Sequence, residues 1–515
     1  MKSKILAAID LGTNSFHLVI AKVNDKGMFK ILLKEKEVVR LGELSNDMKY
    51  LSPEAVDRGI SALKRFKLIC DSVKAEKIRA VATSAIREAL NNKTFLERAE
   101  KEVGLKIEIV SGFEEGRLIY LGVLQALPVF KKRILLVDIG GGSTEFLVGC
   151  KGQINFVDSI KIGSVRLTQK FFRNKKFKDT QIEETRLYVK SLLNPVIRDI
   201  SKHNYSMVVG TSGTIVNVGT MIYAEENIYD PDTFNFNNFK YDNKQFQFLL
   251  KKIIKAETVS KISSIPGLDP RRADIITAGA IILEQILSEL KISEIALSSY
   301  ALREGIILDT INKEHDGIQI GNLDNIRYRS IINLAENCNY DKLHTEHVLK
   351  LSEKIFDFLK NHSYLEEKDK EYLEAAVLLH DIGHNISHTM HHRHSYYLIR
   401  NSELLGFNDE EIEIIANIAR YHRKSHPKLK HEGYSRLTFE SRDKVNKLAG
   451  ILRISDGLDR GHNAVVKDIE LFIKNNIFTV KTVTVNNISP VLEIWGANMR
   501  KGLFEESFKL QVKIF

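Results

Sequence analysis

Along the first three hundred residues, apolar runs of strand length alternate with stretches in which apolar residues recur every three or four positions. Leu6–Ile9, Phe16–Ala21, Phe29–Leu33, Ile78–Ala82 and Ile107–Val110 read as strands, and Ala55, Val56, Ile60, Leu63 and Phe66 form one stripe of a helix over Pro53–Cys70. The theme repeats: Ile134–Val137, Glu145–Val148 and Met207–Val209 read as strands and Arg272–Leu290 as an apolar helix. Such alternation predicts two α/β layers. Polar Thr310–Asn322, with Gly317 and Gly321, reads as a linker. Beyond it the chain is helical almost throughout 325–465, with Leu349, Ile355, Leu359 and Ala375–Leu379 at helical spacing. Strands return at Ile469–Ile473 and Ile477–Val485 around Asn475-Asn476, a hairpin signal. Ser489-Pro490 opens a helix through Trp495 and Leu503 by cap and first-turn proline, and Lys509–Ile514 reads as a closing strand. The predicted domains are 1–125, 126–309, 323–465 and 466–515, the first two α/β, the third all-α and the last a small α+β segment.

One unit inside this pattern occurs twice. Ala7-Ala8-Ile9-Asp10-Leu11-Gly12-Thr13-Asn14-Ser15 and Leu136-Val137-Asp138-Ile139-Gly140-Gly141-Gly142-Ser143-Thr144 are each an apolar run, an aspartate, then a glycine turn with hydroxyls, followed by another apolar run. Each predicts a β-hairpin whose turn can direct consecutive N–H groups at an anion. The aspartate before the turn can hold a divalent cation against phosphate oxygens. Two such turns predict a duplicated pair of domains facing one cleft.

At 515 residues the chain is too long for a single core, and 43% apolar with 28% charged residues is ordinary for a globular protein. The formal net charge of +10 admits nucleic acid, a membrane surface or an anionic substrate as partner. Cys70, Cys150 and Cys338 are far apart, without metal-like spacing, and fit a reducing compartment. The apolar run after Met1-Lys2-Ser3-Lys4 is broken at Asp10, which leaves no secretory signal, and no window reaches the ~18 apolar residues of a membrane span. A cytoplasmic protein is expected.

Three further elements carry candidate chemistry. Ser111-Gly112-Phe113-Glu114-Glu115-Gly116-Arg117 follows a strand and opens a helix; Ser111 and Glu114 have capping-box spacing, which leaves Glu115 free. A carboxylate placed to take a proton from water would make a phosphate site hydrolytic. Thr83-Ser84-Ala85-Ile86-Arg87 puts hydroxyls and an arginine at a helix start, where anions bind, and Gly210-Thr211-Ser212-Gly213-Thr214 is another glycine and hydroxyl turn after a strand. Alone, each reads as an ordinary strand-to-helix turn.

Taken in order, AAIDLGTNSFHLVI, AVATSAIREALN, IVSGFEEGRLIYLGV, LLVDIGGGSTEFLVG and VVGTSGT resemble the exopolyphosphatase / guanosine pentaphosphate phosphohydrolase family over about residues 5–307. The resemblance implies two ribonuclease-H-like domains of the actin and sugar-kinase superfamily around a cleft. It implies Mg²⁺-dependent release of terminal phosphate from polyphosphate or guanosine pentaphosphate. It places the water-activating acid at Glu115, the metal and phosphate aspartates at Asp10 and Asp138, a second acid at Glu145 that assists the same metal or the water, and the phosphate arginine at Arg87. Gly140, Gly141, Gly142 and Ser143 form the main phosphate turn, and Thr13, Asn14 and Ser15 belong to its counterpart. Gly210, Thr211, Ser212, Gly213 and Thr214 form a further turn. A homodimer is the family expectation, with neither membrane nor nucleic acid as partner. An actin-superfamily kinase is the alternative of another class, and the SGFEEGR run with Glu115 argues against it. A non-catalytic polyphosphate or alarmone sensor would carry damaged motifs, and none is damaged.

Eleven of the sixteen histidines fall between His344 and His426. His344, then His380-Asp381 ending an apolar helix, then Asp456 late on another, resemble the HD phosphohydrolase superfamily over about 325–465. That resemblance implies a second divalent metal on His344, His380, Asp381 and Asp456, with His347 a rival first ligand. Mixed N and O donors suit Mn²⁺, Fe, Zn²⁺ or Mg²⁺. His384, His388, His391, His392, His394 and His422 are further candidates for a second metal or for phosphate contacts, though each alone reads as a solvated or hydrogen-bonded ring. Lys131-Lys132-Arg133, Arg173 with Lys175, Lys176 and Lys178, Lys251-Lys252 and Arg271-Arg272 are candidates to steer a polyanion as a group.

Overall fold

The structure is a computed structural model; it describes residues 4–24, 27–42, 49–174, 176–227, 229–231, 234–314, 326–402, 404–485 and 488–515. The chain divides into two units at Ile326/Arg327.

In the first unit, β1 (Lys4–Leu11), β2 (Ser15–Val23) and β3 (Phe29–Val38) form an antiparallel meander. β4 (Lys77–Ala82) and β5 (Ile107–Ile109) join β1 in parallel, giving the order β3-β2-β1-β4-β5. The central strand β1 is covered on both faces, so it reads as a continuous apolar run, while the edge strand β3 alternates. The second sheet repeats the design with β6 (Ile134–Ile139), β7 (Thr144–Cys150), β8 (Gln153–Ile160), β9 (Met207–Thr211) and β11 (Glu294–Leu297), to which β10 (Lys240–Asp242) adds an antiparallel edge. Read as β8-β7-β6-β9-β11, its order matches the first sheet strand for strand. The sequence pattern misses β8, β10 and β11: two are only three or four residues long, and β8 has no continuous apolar run.

Ser52 caps the helix Pro53–Ser72 by accepting from Ala55 N at 3.2 Å, with Pro53 in the first turn as expected. The expected helix over Arg272–Leu290 begins later, at Ile276. Asp269 accepts from Arg271 N at 3.1 Å and closes a short 3₁₀ turn over Pro270–Arg272, which takes Arg272 out of the helix.

The two lobes are not cut at residue 125. The helix Gly112–Ala126 packs on β7 and β8 of the second sheet, while the helix Leu302–Glu314 returns to β1 and β2 of the first. The two helices pack against each other so closely that a Cβ on Gly122 would meet Ala301 O at 2.3 Å, and one on Gly305 would meet Leu118 O at 1.8 Å. Thr310–Glu314, expected in the linker, is therefore helix, and the rest of that linker (315–322) lies outside the described residues.

The second unit is mostly helical from Arg327 to Gly457. β12 (Val466–Lys474) and β13 (Ile477–Thr484) then pair through Asn475 and Asn476, both at positive φ (51° and 58°), as a two-residue hairpin turn requires. β14 (Gln511–Ile514) closes this sheet parallel to β13. The helix expected from Ser489 through Leu503 is two helices, Val491–Asn498 and Gly502–Phe508, and Ser489 caps neither. The break lets Phe504 seat against Gly450 and Phe478 in the core. No helix of the described residues is long and apolar enough to cross a membrane.

Candidate active site

The two hairpins repeat to the atom. Gly12 N donates to Ser15 O at 3.2 Å, and Gly140 N donates to Ser143 O at 3.0 Å. Asp10 stands opposite His17 across β1/β2, and Asp138 stands opposite Glu145 across β6/β7. The turns meet: a Cβ on Gly141 would lie 3.0 Å from Thr13 Cβ, and one on Gly142 would reach Ser84 Oγ at 2.6 Å and Thr13 Oγ1 at 2.8 Å. Only glycine lets the second turn come this close to the first and to the start of the helix Ser84–Glu88. Both turns, with Asp10, Glu115 and Asp138, line one cleft of about 400 Å³.

The acids are held in different ways. Asp138 is 4% exposed, and its Oδ2 accepts from Thr211 Oγ1 at 2.5 Å and Ser212 Oγ at 2.7 Å. Ser212 takes up left-handed backbone (φ 66°) to present that hydroxyl. Ser111 caps its helix by accepting from Glu114 N at 3.1 Å, but the Glu114 carboxylate pairs with Arg117 rather than closing the box. Glu115, one residue on, is 7% exposed; its Oε2 accepts from Arg87 Nη1 at 2.9 Å, and the same nitrogen donates to Val110 O at 2.8 Å. Glu145 is 2% exposed, accepts from Ser159 Oγ at 2.8 Å and stands behind the cleft wall.

Burial is the main cause that lifts all four carboxyls. It raises Asp10 to about 7 against the opposing charge of Arg303, with Glu115 and Asp138 adding to the rise. It raises Glu115 to about 7 against Arg87. Asp138 is raised despite its two hydroxyl donors, and Glu145 lies well above the usual carboxylate range, with Glu115 and Asp138 as its next causes. A concentration of buried carboxylates at phosphate-sized turns is an all-oxygen donor set, the kind that suits Mg²⁺, Mn²⁺ or Ca²⁺.

Several residues stand elsewhere than the sequence reading put them. Arg87 does not line the cleft; its guanidinium is engaged with Glu115 and the backbone. Of the third turn, Ser212 and Gly213 reach the cleft, while Gly210 and Thr214 are packed behind it and Thr211 spends its hydroxyl on Asp138. The cations that line the cleft are Arg303, Arg272 and Lys36. Arg303 Nη1 lies 3.0 Å from Nδ1 of His17. Burial, reinforced by Arg303, Lys36 and Arg272, holds His17 well below the usual imidazole range, so the ring is neutral and accepts from Arg303. Arg272 lies over Gly213, where a Cβ would strike its guanidinium, and its buried Nε has no hydrogen-bond partner. Lys36, from the first lobe, pairs with Asp269 of the second at 3.0 Å. His17 had a sequence signal, since it holds in the first hairpin the register position that Glu145 holds in the second. Arg303 and Lys36 had none. Of the expected basic groups, Arg271 pairs with Asp269 and Lys252 with Glu225, and Lys175 lies outside the described residues.

In the second unit, His344 Nδ1 bonds Asp459 Oδ2 at 2.8 Å and its Nε2 lies 3.7 Å from Asp456 Oδ1. His344, His380 and Asp381 offer ligand atoms within 4.8 Å of one another. The rival His347 is turned away, its Nε2 bonded to Val466 O at 2.8 Å. Asp456 adds a carboxylate whose second oxygen pairs with Arg500.

Residues 19–314 match the Ppx/GppA phosphatase family, and residues 326–488 match domain III of that family. An exopolyphosphatase from Cytophaga hutchinsonii is 29% identical at a TM-score of 0.55, the alignment covering 62% of this chain and 99% of that one. A Ppx/GppA family member from Aquifex aeolicus is 29% identical at a TM-score of 0.52, over 61% of this chain and 100% of that one. The chain belongs to the Ppx/GppA phosphatase family and is a hydrolase of phosphoric anhydride bonds.

Proposed function

We propose that this chain is an exopolyphosphatase that removes terminal phosphate from inorganic polyphosphate, with Mg²⁺ held by Asp10 and Asp138. The observation that carries the reading is the meeting of the Gly12–Ser15 and Gly140–Ser143 turns on one cleft with Asp10, Glu115 and Asp138. When bound, the divalent cation neutralises phosphate oxygens and withdraws charge from phosphorus. The turn amides hold the terminal phosphate, and Arg303 and Arg272 face the charge of the next phosphate, which leaves. Arg87 occupies Glu115 Oε2, so Oε1 is the oxygen that takes the proton of the attacking water. The water oxygen bonds to phosphorus, the bridging P–O bond breaks, and the shortened chain departs with the electron pair. A carboxyl near 7 is well matched to such a base. Glu145, behind the wall, supports the acidic cluster rather than the nucleophile.

Guanosine pentaphosphate is the second reading, favoured by Phe236, Val216 and Leu302 on the same cleft wall, an apolar surface that a base could cover. Phosphate release from long polyphosphate and from guanosine pentaphosphate, measured side by side with and without Mg²⁺, separates the two. Faster turnover of the nucleotide at equal concentration would reverse the order. The homodimer belongs to the same reading; light scattering near the monomer mass of 58.7 kDa would remove it. The helical region of the second unit is read as HD-type, with a divalent ion on His344, His380, Asp381 and Asp456.

The raised carboxyls predict how metal and pH combine. Asp10 and Glu115 hold protons in the folded state up to about 7, whereas the unfolded chain releases them near 4. Between those values the folded state binds more protons, so their contribution to stability falls as pH rises. A cation that replaces those protons therefore stabilises more at about pH 8 than at about pH 5. The Mg²⁺-induced rise in melting temperature should grow across that interval; a rise that is flat or shrinks would place the cation elsewhere.

A further inference from the structure

Glu115 and its partner Arg87 arrive from different lobes. Glu115 stands on the helix Gly112–Ala126, which packs on β7 and β8 of the second sheet, whereas Arg87 stands on the short helix that follows β4 of the first. Their 2.9 Å pair therefore lasts only while the two lobes keep one registration at this point. The bond that Ser111 accepts from Glu114 N cannot fix that registration, because both residues belong to the same segment.

A buried carboxylate sits on this junction. Asp309, on the helix Leu302–Glu314, is 5% exposed. Its Oδ1 accepts from Arg117 Nη2 at 2.6 Å and its Oδ2 from Arg79 Nη1 at 2.5 Å, with Lys313, one turn on, at 2.8 Å. Arg117 lies two residues after Glu115, and Arg79 lies on β4, the strand that leads to Arg87. Neither arginine needs Asp309 for neutrality. Arg79 donates to Glu108 on β5 from Nε at 3.0 Å and Nη2 at 2.9 Å, and Arg117 donates to Glu114 twice at 2.7 Å. The first pair closes within the first sheet and the second within the helix, so what Asp309 adds is the link between them. Desolvated arginine–carboxylate contacts of this kind fix distance and angle as well as supplying charge. Burial pushes the Asp309 carboxyl up, but the bonds from Lys313, Arg117 and Arg79 outweigh it and hold the group at about 2. Asp309 is thus ionised throughout the neutral range. Its helix is also pressed onto the helix of Glu115 at Gly122 and Gly305, so the link is short and stiff.

We propose that Asp309 is a positioning residue for the hydrolytic reaction. By joining Arg79 of the first lobe to Arg117 on the helix of Glu115, it sets Glu115 against Arg87 and so aims the unoccupied Oε1 at the attacking water. Asp309 does not line the cleft and acts only through Glu115. The proposal rests on the reading of Glu115 as the base.

The test is a double-mutant cycle in the full chain, with polyphosphate and Mg²⁺. Asn at 309 must turn its NH₂ toward one of two guanidinium groups that already donate, so Asp309→Asn breaks the link. It is expected to lower kcat about 10- to 100-fold, the scale of a slightly misplaced reacting group, and to leave KM within about twofold. In a Glu115→Gln background the same change should leave the residual rate unaltered, because a base that is absent cannot be misplaced. Arg117→Gln breaks the link from the other side while Asp309 keeps Arg79 and Lys313. It should give a similar loss, and the two changes together no more than either alone. An equal fold loss in the Glu115→Gln background, or a loss carried by KM, overturns the proposal and makes Asp309 a structural acid. Wild-type release by Glu115→Gln alone removes the base reading, and the proposal with it. Should Asp309→Asn fail to fold by circular dichroism, Arg117→Gln takes its place in the cycle, read by the same outcomes.

Discussion

Replacing Glu115 with Gln is expected to lower phosphate release by about 10²–10⁴-fold, the usual worth of a positioned general base. Gln keeps the size of the side chain and an oxygen that can accept from Arg87, so the helix Gly112–Ala126 and the cleft should survive. What it loses is the ability to take a proton. Polyphosphate binding, followed by calorimetry with Mg²⁺ present, should be near that of the wild type, because the phosphate is held by the turns and not by Glu115. The pH dependence sharpens the test. Burial lifts the Glu115 carboxyl to about 7, so wild-type turnover should rise through neutrality as the base ionises, and the Gln variant should lose that limb. Release at the wild-type rate would remove Glu115 from the chemistry and with it the hydrolytic reading of the cleft.

Asp138→Asn should give effects of opposite sign on activity and stability. Its Oδ2 receives two hydroxyls, from Thr211 and Ser212, and an amide oxygen can receive them equally well. The substitution therefore keeps the local structure and removes a charge. Turnover should fall by about 10²–10³-fold, the size of losing one preorganised electrostatic partner. The metal-free protein should melt higher than wild type at about pH 8, because a buried carboxyl whose ionisation burial opposes has been replaced by a neutral group. The Mg²⁺-induced stabilisation should shrink at the same time. A variant that is inactive yet melts lower without metal would mean that Asp138 is a structural acid.

Much of this was legible in the chain because it is local. Strand β1 is apolar along its length because both faces are covered, and the glycine turns follow their aspartates directly. Even the unread His17 was within reach, since it lies as far after Asp10 as Glu145 lies after Asp138. The pairing of Arg87 with Glu115 was not, because the two arrive from different elements and either could have faced solvent or substrate alone. Arg272 stood inside an apolar periodicity that suggested helix; the Asp269 turn, held in part by Lys36 of the other lobe, releases it. The histidine region shows the same limit. His391 and His422 have no spacing relation to His380-Asp381, and only the folding of three helices brings their ring nitrogens to one carboxylate.

Periodicity and short-range turn chemistry therefore determined the duplicated hairpins and the helical second half, since each follows from neighbours a few residues apart. Tertiary structure decided which lobe each joining helix serves, which cations face the cleft and which histidines share Asp381. Those outcomes depend on burial and on long-range pairing. A charged side chain's role is set by what desolvates it and what stands opposite, and neither is written within its own segment.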